Sequence, residues 1–232
     1  MRVLVISDVH GNLAALEAVL AQPHDALVCL GDVVGYGPEP GACARRIRAE
    51  AALVLQGNHD RALGEGVPPG CSPRFEWLAR ALEAAGRAQL DPEERAWLVG
   101  LPPTAIREYD GRRCFLVHAT PGDPLYRYLG PDAPEWADEV AGLDLDTLLV
   151  GHTHVQFERT AAGRRVINPG SVGQPKDGDP RAACAILENG AVQLERVPYD
   201  VGRATAALAR TGADSAAVAV LAELLRTGRV PP

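Results

Sequence analysis

Five short apolar runs, each followed at once by Asp, Asn or His, constrain this chain more than any other feature. Ala26-Leu27-Val28-Cys29-Leu30 leads into Gly31-Asp32, residues 3–7 into Asp8-Val9-His10, residues 53–56 into Gly57-Asn58-His59-Asp60, residues 114–117 into His118, and residues 148–150 into Gly151-His152-Thr153-His154. Continuous Val/Leu-rich runs of this length are what buried parallel strands look like, and open α/β sheets place their chemistry just past the carboxyl ends of such strands. A fold that gathers those ends collects carboxylates and imidazoles in one place. Of the six histidines, His10, His59, His118, His152 and His154 follow such runs, and only His24 falls elsewhere.

The segments between the runs read as helices first and hairpins later. Asn12 is placed to cap an amphipathic helix over 13–21, and further helices are expected over 42–49, over 72–85 behind Ser72-Pro73, and from the capping box Asp91-Pro92-Glu93-Glu94 to about residue 99. In the second half, Asp110-Gly111 joins strands 105–109 and 112–117, a strong hairpin signal, and Asn189-Gly190 joins 182–187 and 191–197 in the same way. Strands over 155–160 and 165–168 form another pair, a short helix over 134–140 precedes the run at 148–150, and two Ala/Leu-rich helices (201–210 and 214–226) close the chain. The pattern predicts an α/β (α+β) four-layer αββα sandwich of two mixed β-sheets, one parallel-rich and one hairpin-rich, as a single domain over residues 1–232. The closing helices are apolar enough on one face to pack on the sheet or to form a contact between copies.

Composition narrows the function classes. A formal net charge of −7 with no basic run argues against nucleic-acid or anionic-membrane binding, which needs clustered Lys and Arg. Five scattered cysteines, mostly within apolar runs, read as small core residues in a reducing, cytoplasmic compartment. Gly35-Tyr36-Gly37-Pro38 does not have the glycine spacing of a dinucleotide fingerprint.

Asp-x-His and His-x-His put alternate residues on the same side of an extended segment, so that each pair can converge on one point. Carboxylate with imidazole and no thiolate suits a divalent ion such as Mn, Fe, Zn, Co or Ni, and disfavours a structural zinc centre.

In order along the chain, Asp8-x-His10, Gly31-Asp32, Gly57-Asn58-His59-Asp60, His118 and Gly151-His152-x-His154 resemble the full motif set of the calcineurin-like metallophosphoesterase superfamily, spanning residues 8–154. The resemblance implies the αββα fold and two divalent metal ions per chain, manganese first among the candidates. It assigns Asp8, His10 and His154 to the first ion, Asn58, His118 and His152 to the second, Asp32 to both, and His59 to the protonation of a leaving group. The activity implied is hydrolysis of small phosphodiesters by a hydroxide held between the metals. Phosphomonoester or nucleotide pyrophosphate hydrolysis is the alternative, and a scaffold role, as in a retromer subunit of similar fold, is a second one. Protein Ser/Thr phosphatases continue their Gly-Asp block with Asp and Arg, whereas Asp32 is followed here by Val33-Val34. The chain length and the turn Asn168-Pro169-Gly170-Ser171 look more like the small prokaryotic phosphodiesterases.

Outside the motifs, Tyr36, Tyr126, Tyr128 and Arg181 are candidate substrate contacts, although loop tyrosines also pack over neighbouring elements. Arg181 and Lys176 follow the Asn168 turn and are within reach of a substrate phosphate, but solvated surface is the favoured reading of both. Asp60 is expected to orient His59 or a nearby loop. A homo-oligomer is compatible with this sequence.

Overall fold

The computed structural model describes residues 1–230. Each of the five runs ends a strand: β1 (Val3–Ile6), β2 (Ala26–Cys29), β3 (Leu53–Val54), β5 (Arg112–Val117) and β6 (Thr147–Leu149), with β4 (Thr104–Tyr109) between the third and fourth of these. Four more strands follow, β7 (Phe157–Ala161), β8 (Arg164–Asn168), β9 (Ala182–Glu188) and β10 (Ala191–Val197). One sheet has the order β10-β9-β1-β2-β3 and the other β4-β5-β6-β8-β7. In both, three adjacent strands run parallel, β1-β2-β3 at one end of the first and β5-β6-β8 in the middle of the second.

Two mixed sheets are found as expected, but the division into a parallel-rich and a hairpin-rich one is corrected: each sheet has two parallel and two antiparallel pairings. The β9–β10 hairpin joins the first sheet, where Leu4 pairs with Ile186. Of its strands β9 is buried, as a strand beside β1 must be, while β10 forms the half-exposed edge of that sheet.

Strand alternation assigns the layers. Val3, Val5, Val28 and Leu55 point between the sheets and meet Cys114, Leu116, Leu149 and Ile167 of the second. The intervening Leu4, Ile6, Leu27 and Cys29 point outward, against helices α1 (Leu13–Leu20), α2 (Pro40–Glu50) and α5 (Pro92–Val99), through residues such as Leu16, Val19, Ile47 and Leu98. Beyond the second sheet, Trp136 and Val140 of the short α6 (Trp136–Val140) cover Leu148, Val150 and Val166. These are the four layers of an αββα sandwich.

Asn12 accepts a hydrogen bond from the Ala15 N–H at 3.1 Å and Asp91 one from the Glu94 N–H at 2.8 Å, so both caps form. Ser72 precedes helix α4 (Pro73–Ala88) without a side-chain cap. The closing helices α7 (Val201–Ala209) and α8 (Ser215–Thr227) pack within the chain, α7 on α1 and α8 on α7 and α4. There Leu221 and Leu225 share a cluster with Leu78, Leu82 and Tyr36. All five cysteines are free and buried. No helix among the described residues is long and apolar enough to cross a membrane.

Candidate metal centre

The five strand ends meet, and they bring two groups of side chains together. Asp8, His10 and His154 offer atoms within 4.8 Å of one another, and so do Asp32, His118 and His152. The eight residues at these strand ends, Asn58 and His59 included, are each no more than 3% exposed. Charges here act in a water-poor surrounding, where they interact far more strongly than at the surface.

The backbone reaches this arrangement through left-handed rather than extended conformations. Asp8, His10, Asp32, His152 and His154 have φ between 47° and 66°, a region costly for residues with a Cβ and concentrated at functional sites. The expectation of convergence along extended segments is corrected accordingly. Asp8 and His10 do reach the same group, but His152 and His154 turn to different ones. Gly31, at φ 105°, is required where the ends of β2 and β3 meet, because a Cβ there would lie 2.7 Å from the Gly57 nitrogen.

Asn58 and His59 open helix α3 (Asn58–Glu65). The helix start is tied to β2 by carboxylates. Asp32 Oδ1 accepts the His59 N–H at 2.8 Å, and Asp60 accepts the N–H groups of Asp32 (2.8 Å), Gly57 (3.0 Å) and Val34 (3.1 Å). Asp60 thus fastens the Asp32 loop to the helix. Burial and the neighbouring Asp32 carboxylate push its carboxyl up to about 7, against those N–H donors. The Asn168 turn fastens the other side: the Asn168 amide donates to the Gly151 carbonyl at 2.7 Å, and the Ser171 hydroxyl to the Asp8 carbonyl at 2.7 Å.

Each imidazole in the groups is oriented by a backbone carbonyl. A carbonyl only accepts, so His10 Nδ1 donates to Val34 (3.1 Å), His118 Nδ1 to Leu30 (3.0 Å), His154 Nδ1 to Gln174 (2.7 Å) and His152 Nε2 to Tyr126 (3.3 Å). The remaining nitrogen of each ring faces inward. This is the support that metal-ligating histidines ordinarily have.

His10 and His154 are pushed well below the ordinary histidine range by burial, so each presents a lone pair at Nε2. Those two nitrogens stand only 2.9 Å apart. Two acceptors at that distance repel unless a cation is shared. Asp8 Oδ1, buried and without a hydrogen-bond partner among the described residues, lies 3.4 Å from His154 Nε2 and 3.8 Å from His10 Nε2. In the second group, burial opposes charge on His118 but Asp32 and the other nearby carboxylates outweigh it and hold the ring up at about 9. That position favours positive charge. Asp32 Oδ2 lies between the groups, 3.7 Å from His10 Nε2 and 3.4 Å from His118 Nε2. Asn58 Oδ1 is 3.2 Å from His118 Nε2, while its amide nitrogen donates to the Pro69 carbonyl at 2.8 Å, so its oxygen faces the cluster. The donor set fits two divalent ions.

Residues 1–190 match the family model of the calcineurin-like phosphoesterase superfamily domain. The chain belongs to this superfamily. It is accordingly a metal-dependent hydrolase of phosphoric esters. A metallophosphoesterase from Sphaerobacter thermophilus is 34% identical in sequence and superposes with a TM-score of 0.83, covering 98% of this chain and 99% of that one. The phosphodiesterase YfcE of Escherichia coli is 30% identical over 82% of this chain and 88% of its own length. A symmetrical bis(5'-nucleosyl)-tetraphosphatase of Chromohalobacter salexigens is 32% identical over 68% of each chain.

His59 stands outside both groups of ligating atoms. Its ring lies 4.5 Å from the Tyr36 ring and meets the His10 ring edge-on at 5.1 Å. Burial lowers its pKa to about 4, with Asp32 pulling the other way, and its Nδ1 has no partner among the described residues. Two of the three candidate tyrosines pack against site histidines: Tyr36 meets His10 edge-on at 5.0 Å and Tyr128 lies tilted over His152 at 3.8 Å. Tyr126 reaches His152 through its carbonyl, while its hydroxyl accepts from Arg61 at 3.2 Å. Arg181 is exposed, and Asp179 rather than any ligand group engages its guanidinium, at 2.5 Å.

Lys176 overturns the reading as solvated surface. The residue is half-buried: its ammonium rests 4.2 Å from the Phe75 ring centre and 5.9 Å from that of Tyr36, and desolvation lowers its pKa to about 8 while Asp8 and Asp32 pull it up. Phe75 was not among the sequence candidates. The sequence signal for Lys176 is that it is the sole lysine in a chain with 22 arginines (23 basic residues minus 1).

Proposed function

We propose that the chain hydrolyses small phosphodiesters, attacking a phosphorus that carries two oxygen substituents, at a centre built for two divalent ions. Asp8, His10 and His154 hold the first ion, Asn58, His118 and His152 the second, and Asp32 is shared, with manganese the first candidate. The observation that carries this reading is the pair of inward lone pairs on His10 and His154, 2.9 Å apart, beside the unpartnered Asp8 Oδ1. The phosphodiesterase activity in the name of the E. coli relative supports the substrate class.

When bound, the ions supply charge neutralisation at the phosphoryl oxygens and acidify a water molecule. The protein's part is geometric. Asp60 and the Asn168 turn hold the ligand loops in register, and the carbonyls behind the four imidazoles fix the ring orientations. His59, on the Tyr36 side, donates a proton to the departing oxygen. A docked phosphate anion restores the attraction for a proton that burial removes from His59, so the proton is taken up together with the substrate. Tyr36, Tyr126 and Tyr128 line the approach. The whole chain serves as one catalytic domain, acting in the cytoplasm and without stable nucleic-acid binding, as the net charge of −7 favours.

The substrate class is tested with manganese-loaded protein on bis(p-nitrophenyl) phosphate and p-nitrophenyl phosphate. The expected result is a kcat/KM for the diester at least about tenfold above that for the monoester, a difference of about 1.4 kcal/mol in transition-state stabilisation. A preference for the monoester would replace the reading with phosphomonoester hydrolysis.

A further inference from the structure

The metal centre is covered. Its eight strand-end residues are each no more than 3% exposed, and a phosphate ester, larger than water, does not reach groups buried to that degree. Part of the cover must therefore move for the proposed reaction. Most of it is pinned through the main chain. In the Tyr36 loop, the Asp32 and Val33 carbonyls accept the His10 and Gly11 N–H groups at 2.9 and 3.0 Å, and the Glu39 N–H donates to the Gly11 carbonyl at 2.9 Å. The Lys176 N–H donates to the His154 carbonyl at 3.2 Å.

The segment over Asn58 is held differently. Residues 66–72, Gly-Val-Pro-Pro-Gly-Cys-Ser, join α3 to α4. Among the described residues, the main chain of 68–72 makes no backbone–backbone hydrogen bond except at the first turn of α4, where the Phe75 N–H donates to the Ser72 carbonyl. Pro68 and Pro69 have no N–H to give, and the chain turns at Gly66 and Gly70 with φ of 77° and 60°. Val67, Pro68 and Gly70 are exposed, while Pro69 and Cys71 are buried. Side chains of the site hold the segment down. The Pro69 carbonyl accepts the Asn58 amide at 2.8 Å. Gly70 lies against Tyr126, since a Cβ there would stand 2.8 Å from the ring. The Cys71 thiol is hydrogen-bonded with the Tyr36 hydroxyl, and the Tyr128 hydroxyl with the Ser72 backbone.

Of these contacts, Asn58 is the one that reaches the ligand cluster. Its planar amide faces both ways, with Nδ2 on Pro69 and Oδ1 3.2 Å from His118 Nε2. Fixing either end fixes the other. We propose that residues 66–72 are a lid over the centre and that Asn58 couples closure of this lid to occupancy of the second metal position. The inference rests on the assignment of Asn58 to the second ion above and adds the regulation of that site. A closed lid aims the Asn58 oxygen inward. An Asn58 oxygen engaged by a cation keeps the amide turned toward Pro69 and, through polarisation, makes its N–H groups better donors. The coupling is reciprocal, so that the factor by which closure strengthens binding of the second ion is the factor by which that ion favours closure.

The lid carries its own probe. Cys71 is 9% exposed, whereas Cys29, Cys43, Cys114 and Cys184 are at most 1% exposed. Alkylation by iodoacetamide, followed at Cys71 by peptide mass, therefore reports lid opening. Rates are measured on metal-stripped protein and at two equivalents of Mn²⁺, with bound metal determined on the same samples. In the wild type, manganese should slow Cys71 labelling about tenfold, within the usual range for coupling between two sites. Asn58→Asp keeps an oxygen ligand but has no amide to donate, so it should bind manganese and show a slowing of less than about twofold. Gly70→Val keeps every ligand and pushes the lid off the Tyr126 ring. Its Cys71 should label faster than that of the wild type with manganese present, and its second ion should bind about tenfold more weakly while the first binds as before. A wild type that holds two equivalents with Cys71 labelling unchanged overturns the coupling and leaves the metal centre intact. So does an equal slowing in a manganese-loaded Asn58→Asp, or a Gly70→Val that labels faster yet binds both ions like the wild type. A wild type that binds no manganese overturns the metal centre, and this inference with it.

Discussion

Replacing Asp32 by Ala is expected to remove both metals and to lower kcat/KM by about a thousand-fold or more. The carboxylate lies between the two groups of donors, 3.7 Å from His10 Nε2 and 3.4 Å from His118 Nε2. Metal ions contribute several kcal/mol of transition-state charge stabilisation, and about 4 kcal/mol corresponds to about a thousand-fold in rate. Asp32 Oδ1 also accepts the His59 N–H, so the same substitution frees the start of α3 and with it Asn58. Loss of Asn58 alone touches only the second group, and Asn58→Ala should keep the first ion. Elemental analysis of the two variants separates these outcomes. Two tightly bound metals in Asp32→Ala would show that Asp32 does not bridge.

Replacing His59 by Gln should leave metal content near wild type while lowering kcat by about 100- to 10,000-fold for substrates whose leaving groups have a high pKa. The side chains of Asn58 and His59 diverge from the first turn of α3. The Asn58 oxygen faces His118, whereas the His59 ring lies against Tyr36 and His10, outside both groups of ligating atoms. On the proposed reading, metal binding and proton donation are thus separable at adjacent residues. With an activated aryl leaving group the penalty should shrink to about tenfold or less, because little protonation is then needed in the transition state. The measurement is kcat for His59→Gln across esters of graded leaving-group pKa, with bound metal determined on the same samples. A defect of equal size across the series would reassign His59 to positioning phosphate, and metal lost in step with activity would reassign it to supporting the centre.

The strands and their ligand-bearing ends were legible because the information is local. A buried run such as Val3–Ile6, and a turn such as Asp110-Gly111 with φ of 51° and 72°, report their structure within a few residues. Where a strand pairs is not local, and the β9–β10 hairpin joined the first sheet through contacts such as Leu4 with Ile186. The residues of the two groups were legible as types, but the path to them was not. Left-handed backbone at five non-glycine residues is imposed by tertiary bonds like Asp8 Oδ2 accepting the His152 N–H at 3.0 Å, which no sequence spacing records. Arg181 and Lys176 looked alike as basic residues after the Asn168 turn. What separates them is distant in sequence: Asp179 sits beside Arg181 and engages it at the surface, whereas Phe75, from the other half of the chain, folds over Lys176.

The central claim is that these strand ends hold two ions that act together. Its most direct measurement strips the protein with a chelator, adds Mn²⁺ in small steps, and records bound metal and hydrolysis of bis(p-nitrophenyl) phosphate at each step. Activity should be absent in the stripped protein and reach its plateau at two equivalents of manganese per chain. Full activity in the stripped protein, or a plateau at one equivalent, would contradict it.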